Sequence, residues 1–454
     1  MIAIHALLIG ASGLFLVNFA WAGIPIQHWT QATGAQVYLV QSPAIPMVDV
    51  QVDFDAGGRR DPPDQAGLAS VTAMMTAKGL LAGASPNEPA LDENALGEAW
   101  ADLGASFGAH ASADRMSFSL RSLTYADLLA QAVRLAAREM AQPSFPADVW
   151  AREREAMQAS IREANTRPAT LAARAFNQAV YGKHPYGFET TPESLARIDV
   201  QHMQGLFRSV MEPCRARVTV VGALDRAQAD QLVSQLLGRL PARAGQDAAA
   251  TCPALPAVAE VAPLSQASEQ RIAFDSAQAH VLLGQPGFKR DDPDYFALTV
   301  GNYVLGGGGF VSRLTHEVRE KRGLSYSVYS YFAPSMHAGA FTLGLQTRPD
   351  QADQALQVSR EVLQRFVADG PTADELQAAK DNLIGGFALR IDSNRKLLDN
   401  VANIAWNELP LDYLDTWTQQ VDRLTPADIK AAFQRKLQVQ AMATVVLGGP
   451  VTSR

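Results

Sequence analysis

Residues 305–331 of the chain read LGGGGFVSRLTHEVREKRGLSYSVYSY, and this order predicts a loop, a helix and a strand in succession. Val311, Leu314 and Val318 recur at helical spacing, so they predict one apolar helix face. Gly323 predicts the end of that helix. Residues 326–331 then alternate aromatic and small side chains with the period of a strand.

The stretch opens with four consecutive glycines: Gly306, Gly307, Gly308 and Gly309. A backbone without Cβ atoms can adopt positive φ angles and lets another chain approach closely. A phosphate-binding loop would need Gly-Lys-Ser or Gly-Lys-Thr after the glycines, and Phe310 follows instead. The glycines therefore predict a close backbone approach. The residue that follows them argues against a nucleotide site.

The chain contains two related halves, because three pairs of segments share one offset in the sequence. ADVWAREREAM and ADELQAAKDNL form the first pair, RIDVQHMQGLF and RLTPADIKAAF the second, and RVTVVGA and ATVVLGG the third. The pairs begin at Ala147 and Ala373, at Arg197 and Arg423, and at Arg217 and Ala443.

Each half predicts strands first, then helices, then a closing strand. Val48–Phe54 alternates like a half-buried strand, and Arg217–Val221 is the closing strand of the first half. This order predicts an α+β fold of two homologous domains, each a mostly antiparallel sheet covered by helices. The Ala- and Pro-rich residues 241–263 predict a linker, which is long enough for a hinge and separates domains at 23–240 and 264–454.

Composition narrows the class of protein. A chain of 454 residues with 47% hydrophobic residues can bury a large core. The net charge of −7 is mild, and no Lys/Arg cluster indicates nucleic acid or an acidic membrane surface as a partner.

The N-terminus resembles a secretory signal. Residues 6–20 are almost wholly apolar, and Ala20-Trp21-Ala22 is typical of a cleavage site, so residues 1–22 predict a signal peptide and a mature chain from near Gly23. His5 stands where a Lys or Arg is usual, which leaves a retained short anchor as the alternative. The apolar run is shorter than the roughly 20 residues of a comfortable membrane span. We therefore expect cleavage, a periplasmic location and no stable membrane span.

Two cysteines occur, Cys214 and Cys252. In an oxidising compartment they could form a disulfide, but two separate buried thiols fit the sequence equally well, because it does not give their distance. Two cysteines without a nearby His pair do not provide the four ligands of a structural zinc.

The motif VREKRGLSYSV resembles a segment of the pitrilysin family of zinc peptidases, the inverzincins, which include insulysin and the mitochondrial processing peptidase. The resemblance implies a clamshell of the two domains with Arg319 and Tyr326 as site residues. In such a site Arg319 holds the substrate backbone and Tyr326 supports the oxyanion at the scissile carbonyl, since a guanidinium and a phenol both donate hydrogen bonds. The four glycines and Phe310 would line the substrate chamber.

The same resemblance places the zinc motif HxxEH on the first helix, where this chain reads GLASVTAMM. Alignment on Gly67 and Met75 puts Ser70, Ala73 and Met74 at the first His, the Glu and the second His. The later Glu ligand falls at Ala159, beside Ser160, in a segment that leads to HPYG at residues 184–187. No HxxEH occurs anywhere in the chain, so the resemblance implies that the zinc site has been lost.

A displaced zinc site is the alternative to that loss. It would combine His110, His184 or His202 with Glu153 or Glu155, but none of these residues shows ligand spacing on one element. His184 fits a structural role beside Tyr186 better.

Some members of the family work as pairs, in which one subunit brings zinc and the other brings Arg and Tyr. By resemblance, this chain is the non-catalytic subunit: it binds no cofactor itself, and zinc belongs to an exported HxxEH-containing homologue. The peptide substrate would lie in a chamber between the domains. A stand-alone peptide-binding protein and a purely structural scaffold are the two alternatives.

Overall fold

A computed structural model describes residues 23–241 and 252–449. The predicted signal peptide (1–22) and residues 242–251 of the predicted linker lie outside these ranges. The domain boundaries at 240 and 264 stay predictions. Within the described ranges no helix is both long and apolar enough to cross a bilayer.

Thirteen strands are described. They are β1 (Gln27–Thr30), β2 (Gln36–Gln41), β3 (Met47–Phe54), β4 (Gly79–Leu80), β5 (Leu91–Asp92), β6 (Ser106–Ala111), β7 (Met116–Leu123), β8 (Arg217–Gly222), β9 (Ser268–Ile272), β10 (Ala279–Phe288), β11 (Ser327–Phe332), β12 (Gly339–Thr347) and β13 (Ala443–Leu447).

Fourteen α-helices lie between or beside them in the described ranges. They are α1 (Leu68–Thr76), α2 (Glu93–Asp102), α3 (Ala126–Ala141), α4 (Ala147–Ala164), α5 (Pro168–Tyr181), α6 (Pro192–Ala196), α7 (Val200–Val210), α8 (Arg226–Leu237), α9 (Tyr295–Asn302), α10 (Ala352–Asp369), α11 (Ala373–Gly385), α12 (Asn394–Trp406), α13 (Tyr413–Asp422) and α14 (Pro426–Lys436).

The two large sheets have the same topology. The first has the order β1-β2-β8-β3-β7-β6, and the second, read from its other edge, has the order β9-β13-β10-β12-β11. In each sheet one parallel pair, β2 with β8 and β9 with β13, adjoins antiparallel strands. The sequence pairs coincide with α4 and α11, α7 and α14, and β8 and β13. The predicted α+β class and the duplication are confirmed, and the open sheets are consistent with a clamshell.

Each sheet is covered on one face by helices of its own half and on the other face by a helix of the other half. Helix α12 packs on β8, β3 and β2 of the first sheet, while α5 packs on β10 and β13 of the second. Two apolar clusters result, one joining Val40 and Val221 to Leu398, the other joining Phe176 to Val445. The two halves therefore share their cores.

This exchange corrects the prediction for Val48–Phe54. The strand was expected to bury one face, but every residue from Val48 to Phe54 is buried. The reason is that α12 covers the face that alternation predicted to meet solvent. The predicted closing strand, β8, likewise lies inside the sheet, between β2 and β3.

Two arginines of the first half fasten the C-terminal end of α12. Arg115 Nη1 donates to the carbonyl oxygen of Ala402 (3.3 Å), and Arg217 Nη1 donates to that of Ala405 (3.0 Å). Both guanidinium groups lie over the ring of Trp406, at 5.5 and 5.4 Å from its centre. Cations stabilise the negative end of a helix, so these contacts bind the halves together by charge as well as by apolar burial.

The described part of the linker is bound to both halves. Cys214 and Cys252 form a disulfide, which decides between the two alternatives for the cysteines. Arg60 Nη1 donates to the carbonyl oxygen of Pro256 (2.9 Å), and Glu260 Oε2 pairs with Lys289 Nζ (2.7 Å). The stretch from Cys252 onward is therefore attached to both halves, and the hinge that the length of residues 241–263 would permit stays a prediction.

Candidate functional site

The predicted glycine loop consists of two short helical turns. A π-helical turn, Tyr303–Gly307, continues α9 and takes in the first two glycines, and a 3-10 turn, Gly309–Val311, follows. A second π-helical turn, Thr315–Glu320, carries Arg319. π turns are rare and occur often at functional sites. The helix predicted between the glycines and Gly323 is therefore present only as this π turn and the two helical residues before it.

Gly306 is required by the close approach of this turn to β11. A Cβ at Gly306 would lie 2.4 Å from Ser330 Oγ and 2.5 Å from the Ser330 nitrogen. Asn302 fixes the same contact, because its Nδ2 donates to the Ser330 carbonyl oxygen (3.0 Å) and its Oδ1 accepts from Ser330 Oγ (2.7 Å). These contacts hold the glycine turn against β11.

Arg319 and Tyr326 are adjacent in space. The Arg319 guanidinium lies 4.7 Å from the centre of the Phe310 ring and 5.0 Å from the centre of the Tyr326 ring. The side chains of Phe310 and Tyr326 are 69% and 82% exposed. Within residues 23–241 and 252–449, neither the guanidinium nor the phenol has a described hydrogen-bond partner. The structure thus brings together three predicted site residues, with their donors directed to no protein group.

Val311 is not part of the predicted apolar helix face. It lies in the 3-10 turn and is 72% exposed, whereas Leu314 and Val318 are fully buried. The helical spacing fails here because Ser312, with extended backbone, separates Val311 from the turns that follow. Val311 instead extends the exposed apolar surface of Phe310. Gly323 ends the helical segment at a φ of 61°, as its position predicted.

Tyr329 and Tyr331 belong to the same region, although sequence analysis did not select them. Their rings stack at 6.0 Å on one face of β11, and both remain exposed. A Cβ on Gly344 of β12 would meet the Tyr329 ring at 2.5 Å, so the ring lies flat over that glycine. The signal was available in the sequence as tyrosines two positions apart on a predicted strand.

One sheet edge beside α1 is open. The register of β6 with β7, and the bond from Ser112 N to the Arg115 carbonyl oxygen, direct the backbone groups of Phe107, Ala109 and Ala111 away from the sheet. Among the described residues none of these groups has a hydrogen bond outside the sheet. The matching edge of β11 is closed at Ser330 by Asn302. Of these two edges, only the first has its outward backbone groups unpaired along its length among the described residues.

The positions aligned with the zinc motif do not fit a metal. Ser70 and Met74 lie one helical turn apart on α1, with Ser70 exposed and Met74 half-buried, while Ala73 is fully buried. Ala159 is exposed on α4. These side chains offer no imidazole and no carboxylate, the groups through which zinc is bound without cysteine.

Asp61 holds the start of α1. Its two carboxylate oxygens accept from the backbone nitrogens of Gly67 and Ala69, both at 2.9 Å. Burial raises the pKa of the Asp61 carboxyl to about 7, although these N–H donors favour the charged form. Asp61 therefore gives helix α1 a well-defined start.

The residues considered for a displaced zinc site are not brought together. His184 accepts from the backbone nitrogen of Tyr186 through Nδ1 (3.1 Å), and the two rings are 4.7 Å apart, as its structural interpretation predicted. The Tyr186 hydroxyl donates to Asp114 (2.5 Å) at the seam between the halves. In the described ranges the closest group of possible ligands is Glu212 with Cys214 and Cys252, and both cysteines are used in the disulfide.

Comparisons with known proteins agree with this interpretation of the chain. Residues 36–192 match the family described as Insulinase (Peptidase family M16), and residues 197–383 match the family described as Peptidase M16 inactive domain. A crystal structure of a peptidase M16 inactive domain from Pseudomonas fluorescens is 33% identical, with a TM-score of 0.85, over 94% of this chain and 99% of that one.

Two relatives known by sequence extend the comparison. The non-peptidase homolog YmxG of Helicobacter pylori is 25% identical over 412 residues, which are 89% of each protein. An uncharacterized zinc protease of Streptomyces coelicolor is 27% identical over 306 residues, and this match spans 66% of this chain and 65% of that protein. The shared topology and these matches lead to one conclusion: the chain belongs to peptidase family M16, as an inactive member.

Proposed function

We propose that this chain is the non-catalytic subunit of a heteromeric periplasmic zinc peptidase. Its Arg319 and Tyr326 would bind the peptide and stabilise the oxyanion formed at the zinc centre of an exported HxxEH-containing homologue. The observation that carries this proposal is the Arg319 guanidinium, which lies over the exposed rings of both Phe310 and Tyr326. An arginine with no role in substrate binding gains little from being aligned with an exposed phenol in this way.

The contacts of Arg319 suit a role at the reacting carbonyl. The Phe310 and Tyr326 rings restrict the guanidinium without using its N–H donors, so those donors remain available to a substrate. The Tyr326 hydroxyl is a second donor beside it. Donors fixed in advance stabilise a developing oxyanion more than mobile ones, since they need no rearrangement during the reaction.

The open edge of β6 supports the peptide part of the proposal. An extended peptide that pairs with Phe107, Ala109 and Ala111 would gain main-chain hydrogen bonds with little dependence on its side chains. The disulfide supports the periplasmic part, because such bonds persist in oxidising compartments.

The test is the peptidase activity of the mature chain mixed with its exported HxxEH homologue, measured on a quenched mixed-sequence peptide. Activity should appear only in the mixture. Arg319→Ala and Tyr326→Phe should each lower kcat/KM roughly 100- to 1,000-fold, the effect of removing one oxyanion donor.

Matched controls separate the site from its surroundings. Arg322→Ala removes a nearby exposed arginine that pairs with Glu317, and Tyr329→Phe removes the hydroxyl of a neighbouring, partly exposed tyrosine. Both should leave kcat/KM within about twofold. If the homologue is fully active alone and unaffected by Arg319→Ala, the shared-site proposal is wrong.

The stand-alone peptide-binding alternative has one observation in its favour, which is that the open β6 edge lies within this chain. This alternative predicts that the chain alone binds the uncleaved peptide, as measured by calorimetry. It also predicts that Arg319→Ala changes the affinity for the peptide but does not affect turnover by the homologue.

A further inference from the structure

The first described residues of the chain lie against the second half. The Ile24 nitrogen donates to Asp415 Oδ1 at 2.8 Å. A Cβ on Gly23 would lie 2.6 Å from Asp415 Oδ2, so the backbone of Gly23 itself is next to the carboxylate. Asp415 lies in the first turn of α13 and is exposed.

The position of Gly23 is fixed by the three residues after it. Ile26 is buried and Ile24 is half-buried in the apolar cluster that α12 forms with the first sheet. Pro25 between them has a restricted φ angle, which limits the freedom of the segment. Burial on both sides of Pro25 holds Gly23 at Asp415.

The same residue follows the predicted signal cleavage site, Ala20-Trp21-Ala22. Cleavage by a signal peptidase consumes one water molecule, which adds OH to the Ala22 carbonyl carbon and H to the Gly23 nitrogen. That nitrogen then takes up a proton at neutral pH. Since an N–Cα bond is about 1.46 Å long, the new positive charge appears one bond from the Gly23 Cα, on which a Cβ would meet the Asp415 carboxylate.

Asp415 has the free capacity to receive that charge. Within residues 23–241 and 252–449 no basic side chain forms an ion pair with it, and its described hydrogen bond is the one from Ile24. A carboxylate beside a backbone nitrogen that bears no charge until cleavage is an incomplete ion pair in the uncleaved chain.

We propose that removal of residues 1–22 creates an α-ammonium group on Gly23 that pairs with Asp415, so that processing fastens the N-terminal arm of the first half to α13 of the second. The inference rests on the proposed export of the chain. It does not depend on peptide binding, so a failed peptidase assay leaves it unaffected.

The experiment has two readings on the secreted protein. N-terminal sequencing should give Gly23. The pKa of its α-amino group, followed by NMR with ¹⁵N-labelled glycine or by the pH dependence of N-terminal acylation, should lie about half a unit above the usual value of about 7.8. A raised pKa means that the pair stabilises the fold below about pH 7.8 and that this contribution is lost as pH rises through the higher value.

Asp415→Asn should return the pKa to the usual value, while its amide oxygen can still accept from Ile24. Asp412→Asn is the matched control, because Asp412 is exposed three residues earlier, its side chain caps nothing, and the pKa should stay raised. A different N-terminus, or a pKa that is the same in Asp415→Asn, overturns the proposal. If Asp415→Asn does not fold, equal α-amino pKa values in the native and urea-unfolded wild type overturn it as well.

Discussion

Replacing Glu139 by glutamine should stabilise the protein above pH 7 and leave its stability near pH 4.5 almost unchanged. Glu139 is buried on α3, where its Oε2 accepts from Trp100 Nε1 at 2.8 Å. No basic side chain in the described ranges pairs with it. Burial raises the pKa of this carboxyl from 4.5 to about 7, and the Trp100 donor only partly opposes the rise.

The sign and size of this change in the free energy of unfolding follow from the linkage between protonation and folding. A carboxyl whose pKa is raised on folding contributes stability below its unfolded pKa, and this contribution is lost as pH rises from about 4.5 to about 7. At about 1.36 kcal/mol per pKa unit, the loss amounts to about 3 kcal/mol. Glutamine keeps an acceptor for Trp100 and carries no charge at any pH, so the variant avoids that loss.

The assay is urea unfolding of both proteins between about pH 4.5 and pH 8.5, followed by circular dichroism. The free energies of unfolding should coincide at the acid end and separate by about 3 kcal/mol at the alkaline end, with the variant more stable. Glu98→Gln, on the exposed surface of neighbouring α2, is the control and should follow the wild type throughout. Parallel curves for Glu139→Gln and wild type would refute the argument, as would a variant that is less stable at pH 8.

Two further predictions concern the glycine turn and the disulfide. Gly306→Ala should lower both the melting temperature and the activity of the mixed peptidase, because its Cβ would collide with Ser330. Gly97→Ala, at an exposed position of α2 where a Cβ meets no atom within 4 Å, should instead raise stability slightly. Loss of the disulfide through Cys214→Ser with Cys252→Ser should lower the free energy of unfolding by about 2–4 kcal/mol, and a reducing agent should abolish the difference in melting temperature between wild type and variant. Equal melting temperatures for Gly306→Ala and wild type, or for oxidised and reduced wild type, would contradict these two expectations.

The duplication could be predicted from the sequence because equivalent segments of the two halves are separated by one constant offset. One offset linked Ala147 to Ala373 and Arg217 to Ala443, and the helices and strands at those positions are equivalent in the two sheets. The proximity of Arg319 and Tyr326 came from a motif with fixed spacing. Patterns of this kind can be predicted from the sequence because residues a few positions apart remain close to each other in the folded chain.

Other features depend on distances that no local pattern contains. Alternation along β3 predicted a polar face, but it could not show that α12, from the other half, would cover it. The π turn that carries Arg319 differs from an α turn only in which carbonyl each N–H meets, and side-chain types do not specify this. The distance between Cys214 and Cys252 depends on how the residues between them, which include β8 and α8, fold back.

The exchange of α5 and α12 between the sheets limits how the two halves can be separated or recombined. Either half produced alone would leave one sheet face, with Val221 or Val445 on it, exposed to water. A chimaera of two relatives therefore has to bring each sheet together with the helix that covers it, although the two lie on opposite sides of the linker. Recombination at the linker, which is the natural place to join two modules, would separate those partners.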